Sequence, residues 1–202
     1  GINLIPLAKF ALTTYGQDPC EVFHLDYREE EYDVKDAALD QKMHKAIAMI
    51  QFKLEGQLIH RRPEFQMEHR LLLDKMDLEK GTVEVEGKTY PLKDTSFPTF
   101  DKEHPYQLSP EEAEVVERLV TAFVNCGKLQ EHVRFLYTKG SLYKVYNGNL
   151  LYHGCVPFNE DGSFKKVRVF GQAYSGRELY DVLEHYARKG YYSIDPEEKQ
   201  KG

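Results

Sequence analysis

Tryptophan is absent from the 202 residues, cysteine occurs only three times, and positive charge is in the minority. Lysine and arginine number 27 against 33 acidic residues, a formal charge of −6 with histidine neutral. Nucleic-acid binders normally carry a strongly basic face, so nucleic acid is not an expected partner. Cys20, Cys126 and Cys155 are far apart and form no Cys-x-x-Cys pair. That argues against a disulfide framework and a thiolate zinc site and fits a reducing, cytoplasmic compartment. No apolar run approaches the ~20 residues of a bilayer span, and the first residues lack a basic start followed by an apolar core. No membrane or export role is expected. Gly-x-x-x-x-Gly-Lys-Ser/Thr, Gly-x-Gly-x-x-Gly, His-Glu-x-x-His and Gly-x-Ser-x-Gly are all missing. No two of the eight histidines lie four apart, so no helix presents a ready metal-binding pair.

What is present is enough apolar sequence, 41%, to build a core, interleaved with 30% charge. Leu4, Ala8, Ala11 or Leu12, and Tyr15 recur at helical spacing and are followed by Gly16, placed as a left-handed cap. Residues 21–33 read as an acidic connection. From Asp33, a suitable N-cap, Leu39, Met43, Ile47, Ile50, Leu54 and Leu58 step by three or four and predict a helix of roughly seven turns. Leu71 to Leu73 suggest a helical turn or two. Thr82–Val85 and Lys88–Tyr90 alternate across Glu86-Gly87 and predict a hairpin. Residues 91–108 contain Pro91, Pro98 and Pro105 without a period, which marks a long loop and a seam between two lobes.

Ser109-Pro110-Glu111-Glu112 is a capping box with proline at the first helical position, opening a helix that should turn Val116, Val120 and Phe123 inward. A second helix carries Leu129, Val133 and Leu136 and stops at Gly140. Asn147-Gly148 between Leu142–Tyr146 and Asn149–His153 is the strongest hairpin signal in the chain. A strand from Val167 to Phe170 precedes a second capping box, Ser175 to Glu178, and a helix bearing Leu179, Val182, Leu183 and Tyr186. The polar end from Asp195 should fray. The expected fold is α+β, mostly helical with two hairpins and a short sheet. Residues 1–108 would form one region and 109–202 the other.

Few residues suggest chemistry. His153 follows a strand and precedes Gly154, so a neutral imidazole could meet a divalent metal beside a sharp turn; it could equally be a strand-end histidine bonded to backbone. Arg61 and Arg62, near His60, His69 and Arg70, suit bidentate phosphate binding, or else pair with Glu64 and Glu68 at a solvated helix end. Lys139 and Lys144 carry the same ambiguity. Cys155 has no evident general base and is expected to pack inside. Tyr143, Tyr146 and Tyr152 are expected to pack a sheet face.

The segment Tyr146-Asn-Gly-Asn-Leu-Leu-Tyr-His-Gly-Cys-Val-Pro157, with Asn159-Glu-Asp-Gly162, resembles the late histidine-glycine signature of calcineurin-like metallophosphatases. More narrowly it resembles the class 3 fructose-1,6-bisphosphatases of Firmicutes-type bacteria, as do Gly127–Tyr137, Gly56–Met67 and the opening Gly1–Ala8. The resemblance implies hydrolysis of fructose 1,6-bisphosphate to fructose 6-phosphate and phosphate at a dinuclear manganese or magnesium centre. It implies a metal-ligand role for His153 and makes Arg61 and Arg62 candidates for substrate phosphate. The family's Gly-Asp-x-His, Gly-Asp-x-x-Asp-Arg-Gly and Gly-Asn-His-Asp/Glu loops have no counterpart here. The chain thus reads as an internal piece of a longer phosphatase, with part of the metallophosphatase sandwich in 109–202. It should hold no catalytic residue, bind no metal unaided and be inactive alone. Two other readings remain: a non-catalytic module binding an anionic metabolite or partner protein, and a metallophosphatase of different substrate. An excised hairpin at 142–153 should leave apolar surface and a strand edge open, a route to a homo-oligomer.

Overall fold

A computed structural model describes residues 2–26 and 33–201. Helices and small antiparallel sheets alternate, an α+β chain, in two compact units, Gly1–Cys126 and Gly127–Gly202.

In the first unit, helix α1 (Ile5–Thr14) presents Leu7, Phe10, Ala11 and the following Tyr15 to helices α2 (Val34–Arg61) and α3 (Pro110–Val124). Ala46 and Ile50 of α2 and Val115 of α3 complete this cluster. The face of α1 is rotated from the expected one, with Leu4 and Leu12 exposed. Gly16 is needed for closeness rather than for a left-handed turn: a Cβ there would lie 2.4 Å from the Leu12 carbonyl oxygen.

Helix α2 begins as its sequence predicts, with Asp33 Oδ1 accepting from the Lys35 amide at 2.7 Å. Its buried face is Lys45, Ala46, Met49, Ile50, Lys53, Gly56 and Ile59, whereas Leu54 and Leu58 of the expected stripe are exposed. Apolar periodicity missed this because two of the covered positions are lysines, each neutralised by carboxylates from elsewhere in the fold. The long 91–108 segment forms no helix or strand beyond Pro91, yet it packs on α2. Asp94 meets Lys45, and the Thr99 and Tyr106 carbonyls accept from Lys53 and Gln57. Gly56 leaves room for the Tyr106 ring, whose Cδ1 would lie 2.0 Å from a Cβ.

Three short strands, β1 (Met76–Asp77), β2 (Thr82–Val85) and β3 (Lys88–Pro91), form an antiparallel sheet. The expected hairpin is β2–β3, turning at Glu86 and Gly87, both with positive φ. Helix α3 has the full capping box, Ser109 Oγ accepting from the Glu112 amide and Glu112 Oε2 from the Ser109 amide. Glu112 and Val115 are its buried residues, while Val120 and Phe123 are exposed instead of inward. This packing places α3 within the first unit, and the units divide between 126 and 127.

The second unit contains helix α4 (Gly127–Lys139), hairpin β4 (Tyr143–Tyr146)–β5 (Asn149–Tyr152), hairpin β6 (Val167–Val169)–β7 (Gln172–Tyr174), and helices α5 (Gly176–Tyr192) and α6 (Pro196–Lys201). The sequence pattern carries no signal for strand β7, because its turn places Phe170 at φ +46° beside Gly171 where glycine or asparagine is usual. Ser175 does not cap α5: Gly176 takes φ +53°, so the first turn starts outside helical geometry. Leu179 and Tyr180 are the large buried side chains of α5; Leu183 is exposed. The polar end is ordered into α6 by Asp195, which caps the Glu197 amide at 2.9 Å, and by Lys189–Glu198 at 2.9 Å.

Candidate functional site

Asn147 and Gly148 take φ +49° and +74°, the values a two-residue hairpin turn demands, and fix the register Tyr143↔Tyr152, Lys144↔Leu151, Val145↔Leu150 and Tyr146↔Asn149. Tyr143, Val145, Leu150 and Tyr152 share one face; Lys144, Tyr146, Asn149 and Leu151 share the other. Val145, Tyr146, Leu150, Leu151 and Tyr152 are each 50–64% exposed. An apolar strand face such as that of Val145, Leu150 and Tyr152 is normally covered, and no third strand pairs with this hairpin among the described residues.

His153 leaves this hairpin as its sequence position predicts. Its amide donates to the Leu142 carbonyl at 3.0 Å, one step past the last ladder pair, and the residue is exposed. Gly154 then reverses the chain with φ +76°. Cys155 is exposed, contrary to the expected burial, because the loop runs out over the surface. The backbone on both sides of Gly154 is held by Tyr180, whose hydroxyl lies 3.1 Å from the Cys155 carbonyl oxygen and 3.5 Å from that of His153. Burial pushes the Tyr180 phenol up, keeping it a donor.

The other end of the hairpin is held by the same helix. Glu184 Oε2 accepts from Ser141 Oγ at 2.7 Å and from the Leu142 amide at 3.0 Å, and Arg188 Nη2 donates to the Gly140 carbonyl at 2.6 Å. Burial pushes the Glu184 carboxyl up, but these donors and Arg188 outweigh it and hold the group below its ordinary range. Ser141, Tyr143, Asp181, Glu184, His185 and Arg188 line an open cleft of about 330 Å³. Its charges are mutually paired, with Arg188 on Glu184 and Arg177 on Asp181.

An exposed imidazole after a rigid strand is a suitable single donor to a divalent cation. No group of three or more His, Cys, Asp or Glu among the described residues could hold a metal ion. His153 is thus part of no such group among the described residues.

Arg61 is the exposed last residue of α2. Arg62 is half-buried, donates from Nε to Glu64 and lies 4.4 Å above the Phe65 ring. The hydrogen bond from Arg62 pulls the Glu64 carboxyl down, and its charge adds to this. Arg62 is thus engaged by its own neighbours. The tyrosines of the hairpin split: Tyr143 and Tyr152 stand opposite each other on one face, and Tyr146 is on the other.

The most charged buried chemistry was not legible from motifs. Lys45 Nζ sits 2.5 Å from Asp18 Oδ2 and 2.7 Å from Asp94 Oδ2; Lys53 Nζ sits 2.7 Å from Glu112 Oε2. The signal was the eight-residue spacing of the two lysines, in line with Ala46, Met49 and Ile50.

The description "Firmicute fructose-1,6-bisphosphatase" is that of the family matching residues 1–202. Over 195 residues the chain is 53% identical to a fructose-1,6-bisphosphatase class 3 of Clostridium tetani, covering 96% of this chain and 30% of the relative. A protein of the same description from Clostridium acetobutylicum is 55% identical over 193 residues, covering 95% and 29%. Another from Clostridioides difficile is 50% identical over 200 residues, covering 99% and 30%. The chain spans about 30% of the length of these curated relatives. No solved structure matches it.

Proposed function

From the premise that the chain belongs to the Firmicute fructose-1,6-bisphosphatase family, we propose that it is a portion of a cytoplasmic, metal-dependent phosphatase that converts fructose 1,6-bisphosphate to fructose 6-phosphate and phosphate. By itself the portion is inactive. The observation that carries this is the full-length family match combined with coverage of about 30% of each relative. The exposure of His153 at the end of a well-held hairpin supports the reading, since one imidazole there can supply one ligand to a dinuclear centre. Two bound cations, manganese or magnesium, supply charge to clamp a phosphoryl group and to acidify a water.

This chain's own part is to carry His153 at the end of β5, on a hairpin of a calcineurin-like sandwich. Polypeptide from the remaining length of the family's proteins covers its apolar faces. The exposure of Val145, Leu150, Leu151 and Tyr152, with no third strand paired to β4–β5 among the described residues, supports that placement. Left uncovered, the edge can pair with a second copy of the chain. Of the two arginines, Arg61 is exposed to meet a substrate phosphate, whereas Arg62 would first have to leave Glu64. Three free thiols suit a reducing cytoplasm.

The test compares phosphate release from fructose 1,6-bisphosphate, with manganese, by the 202-residue chain and by a full-length protein containing it. The expected result is turnover by the full-length protein alone. A full-length protein that ignores this substrate while hydrolysing a nucleotide or phosphoprotein would overturn the substrate assignment.

A further inference from the structure

We propose that Tyr180 is a positioning residue for His153: its hydroxyl, acting on the backbone of the His153–Cys155 loop, fixes where the imidazole is presented. The inference rests on the reading of His153 as a ligand. Tyr180 is 9% exposed, on the one face of α5 that touches the hairpin. Its ring meets Tyr143 of β4 edge-on, with centroids 5.9 Å apart. A phenol has one proton, so its main acceptor is the Cys155 carbonyl at 3.1 Å, with that of His153 at 3.5 Å as the secondary one. The bond therefore spans the glycine reversal and ties its two sides to a helix.

The rest of α5 makes this anchor directional. One turn on, Glu184 holds Ser141 and the Leu142 amide, and Leu142 in turn accepts from the His153 amide. Two turns from Tyr180, Arg188 holds the Gly140 carbonyl. Tyr143 Oη donates to Asp181 at 2.9 Å and receives Arg177 Nε at 2.8 Å. One helix thus grips the hairpin where it starts and where it ends, and the only side-chain hydrogen bonds described on the His153–Cys155 backbone come from Tyr180. Glycine at 154 leaves the loop with no stiffness of its own, and nothing lies within 4 Å of where its Cβ would be. Without the phenol, the imidazole has a fixed amide behind it and no described backbone hydrogen bond ahead until Pro157, whose carbonyl accepts from the Lys165 amide.

Tyr180→Phe keeps the ring and removes the hydroxyl. In the 202-residue chain, amide hydrogen exchange should quicken about fivefold at His153, whose amide makes the backbone bond described next to the phenol, the worth of one neutral hydrogen bond. Exchange at Tyr143–Tyr146 and in α5 should stay within about twofold of the starting chain. An equal rise throughout the second unit would reduce Tyr180 to a packing residue and overturn the proposal, as would no rise at all. Glu184→Gln serves as a second variant and should speed exchange at the Leu142 amide more than at His153. In a full-length protein, Tyr180→Phe should weaken manganese affinity roughly tenfold, the lower end for losing a group that orients a ligand. His153→Ala tests the premise separately. If it leaves manganese affinity unchanged, the ligand reading falls while the exchange data still decide whether Tyr180 fixes the loop.

Discussion

Replacing Glu112 by glutamine should destabilise the first unit selectively. Lys53 and Glu112 are both fully buried, with Nζ and Oε2 2.7 Å apart. At an effective dielectric of about 20, that separation corresponds to an attraction of roughly 6 kcal/mol, most of it offset by desolvation of the two ions. Glutamine keeps the shape and, with its one oxygen in the Oε2 place, still accepts from the Ser109 amide, while its NH2 can donate to the Thr99 hydroxyl in the Oε1 place. What it loses is the countercharge, and Lys53 is left with neutral acceptors only, the Thr99 carbonyl and the amide oxygen. Breaking one side of a buried pair costs about 3–5 kcal/mol, a large fraction of a domain's 5–15 kcal/mol. With an m-value of about 2 kcal/mol/M, a loss of ~4 kcal/mol lowers the urea midpoint by roughly 2 M. Tryptophan is absent, so unfolding is followed by far-UV circular dichroism and tyrosine emission. The first unit's transition should move and the second's should not. The double variant Lys53→Met/Glu112→Gln should recover most of the loss. A single variant that loses less than about 1 kcal/mol, or a double no better than the single, would refute the reasoning.

Two further outcomes are expected. Gly56→Ala should destabilise by about 1–3 kcal/mol despite alanine's better helix propensity, because its Cβ would drive into the Tyr106 ring and disturb the 2.6 Å bond from Tyr106 Oη to Asp74; thermal denaturation reads it. Acid should destabilise the first unit through Asp18. Burial raises its carboxyl, but Lys45, the Cys20 amide and Ser96 outweigh this and hold it below the ordinary value. The folded pKa lies below the unfolded one of about 3.9, so this stability is complete above that pH and is lost as the pH falls toward the folded value. Melting curves from pH 6 to pH 3 should show it, and Asp18→Asn should flatten the dependence.

Local signals in the sequence were reliable where local chemistry decides. Asp33, Ser109 with Glu112, and the Glu86-Gly87 and Asn147-Gly148 turns all act where they were placed, because caps and turns are settled by a few adjacent backbone groups. Helix faces were less legible. Leu54, Leu58, Val120 and Phe123 are apolar and exposed, while Lys45, Lys53 and Glu112 are charged and buried. A hydrophobic period cannot register an ion pair whose partners lie 27 to 59 residues apart. Strand β7 and the start of α5 escaped for another reason: Phe170 at positive φ disguises a turn, and Gly176 undoes a cap that the residue types had suggested. At the site, the place of His153 followed from the strand before it. Its restraint by Tyr180 depends on a helix 27 residues further on and left no local mark.

The stretch from Pro91 to Leu108 would ordinarily be the easiest place for this fold to gain or lose a residue. Ionic and carbonyl anchors at Asp94, Thr99 and Tyr106 remove that freedom, since any added residue would slide at least one of them off its lysine or glutamine. Length variation is better absorbed at the Glu86-Gly87 tip, where nothing crowds the backbone. An irregular connection thus imposes the stricter spacing rule, and a regular hairpin supplies the slack.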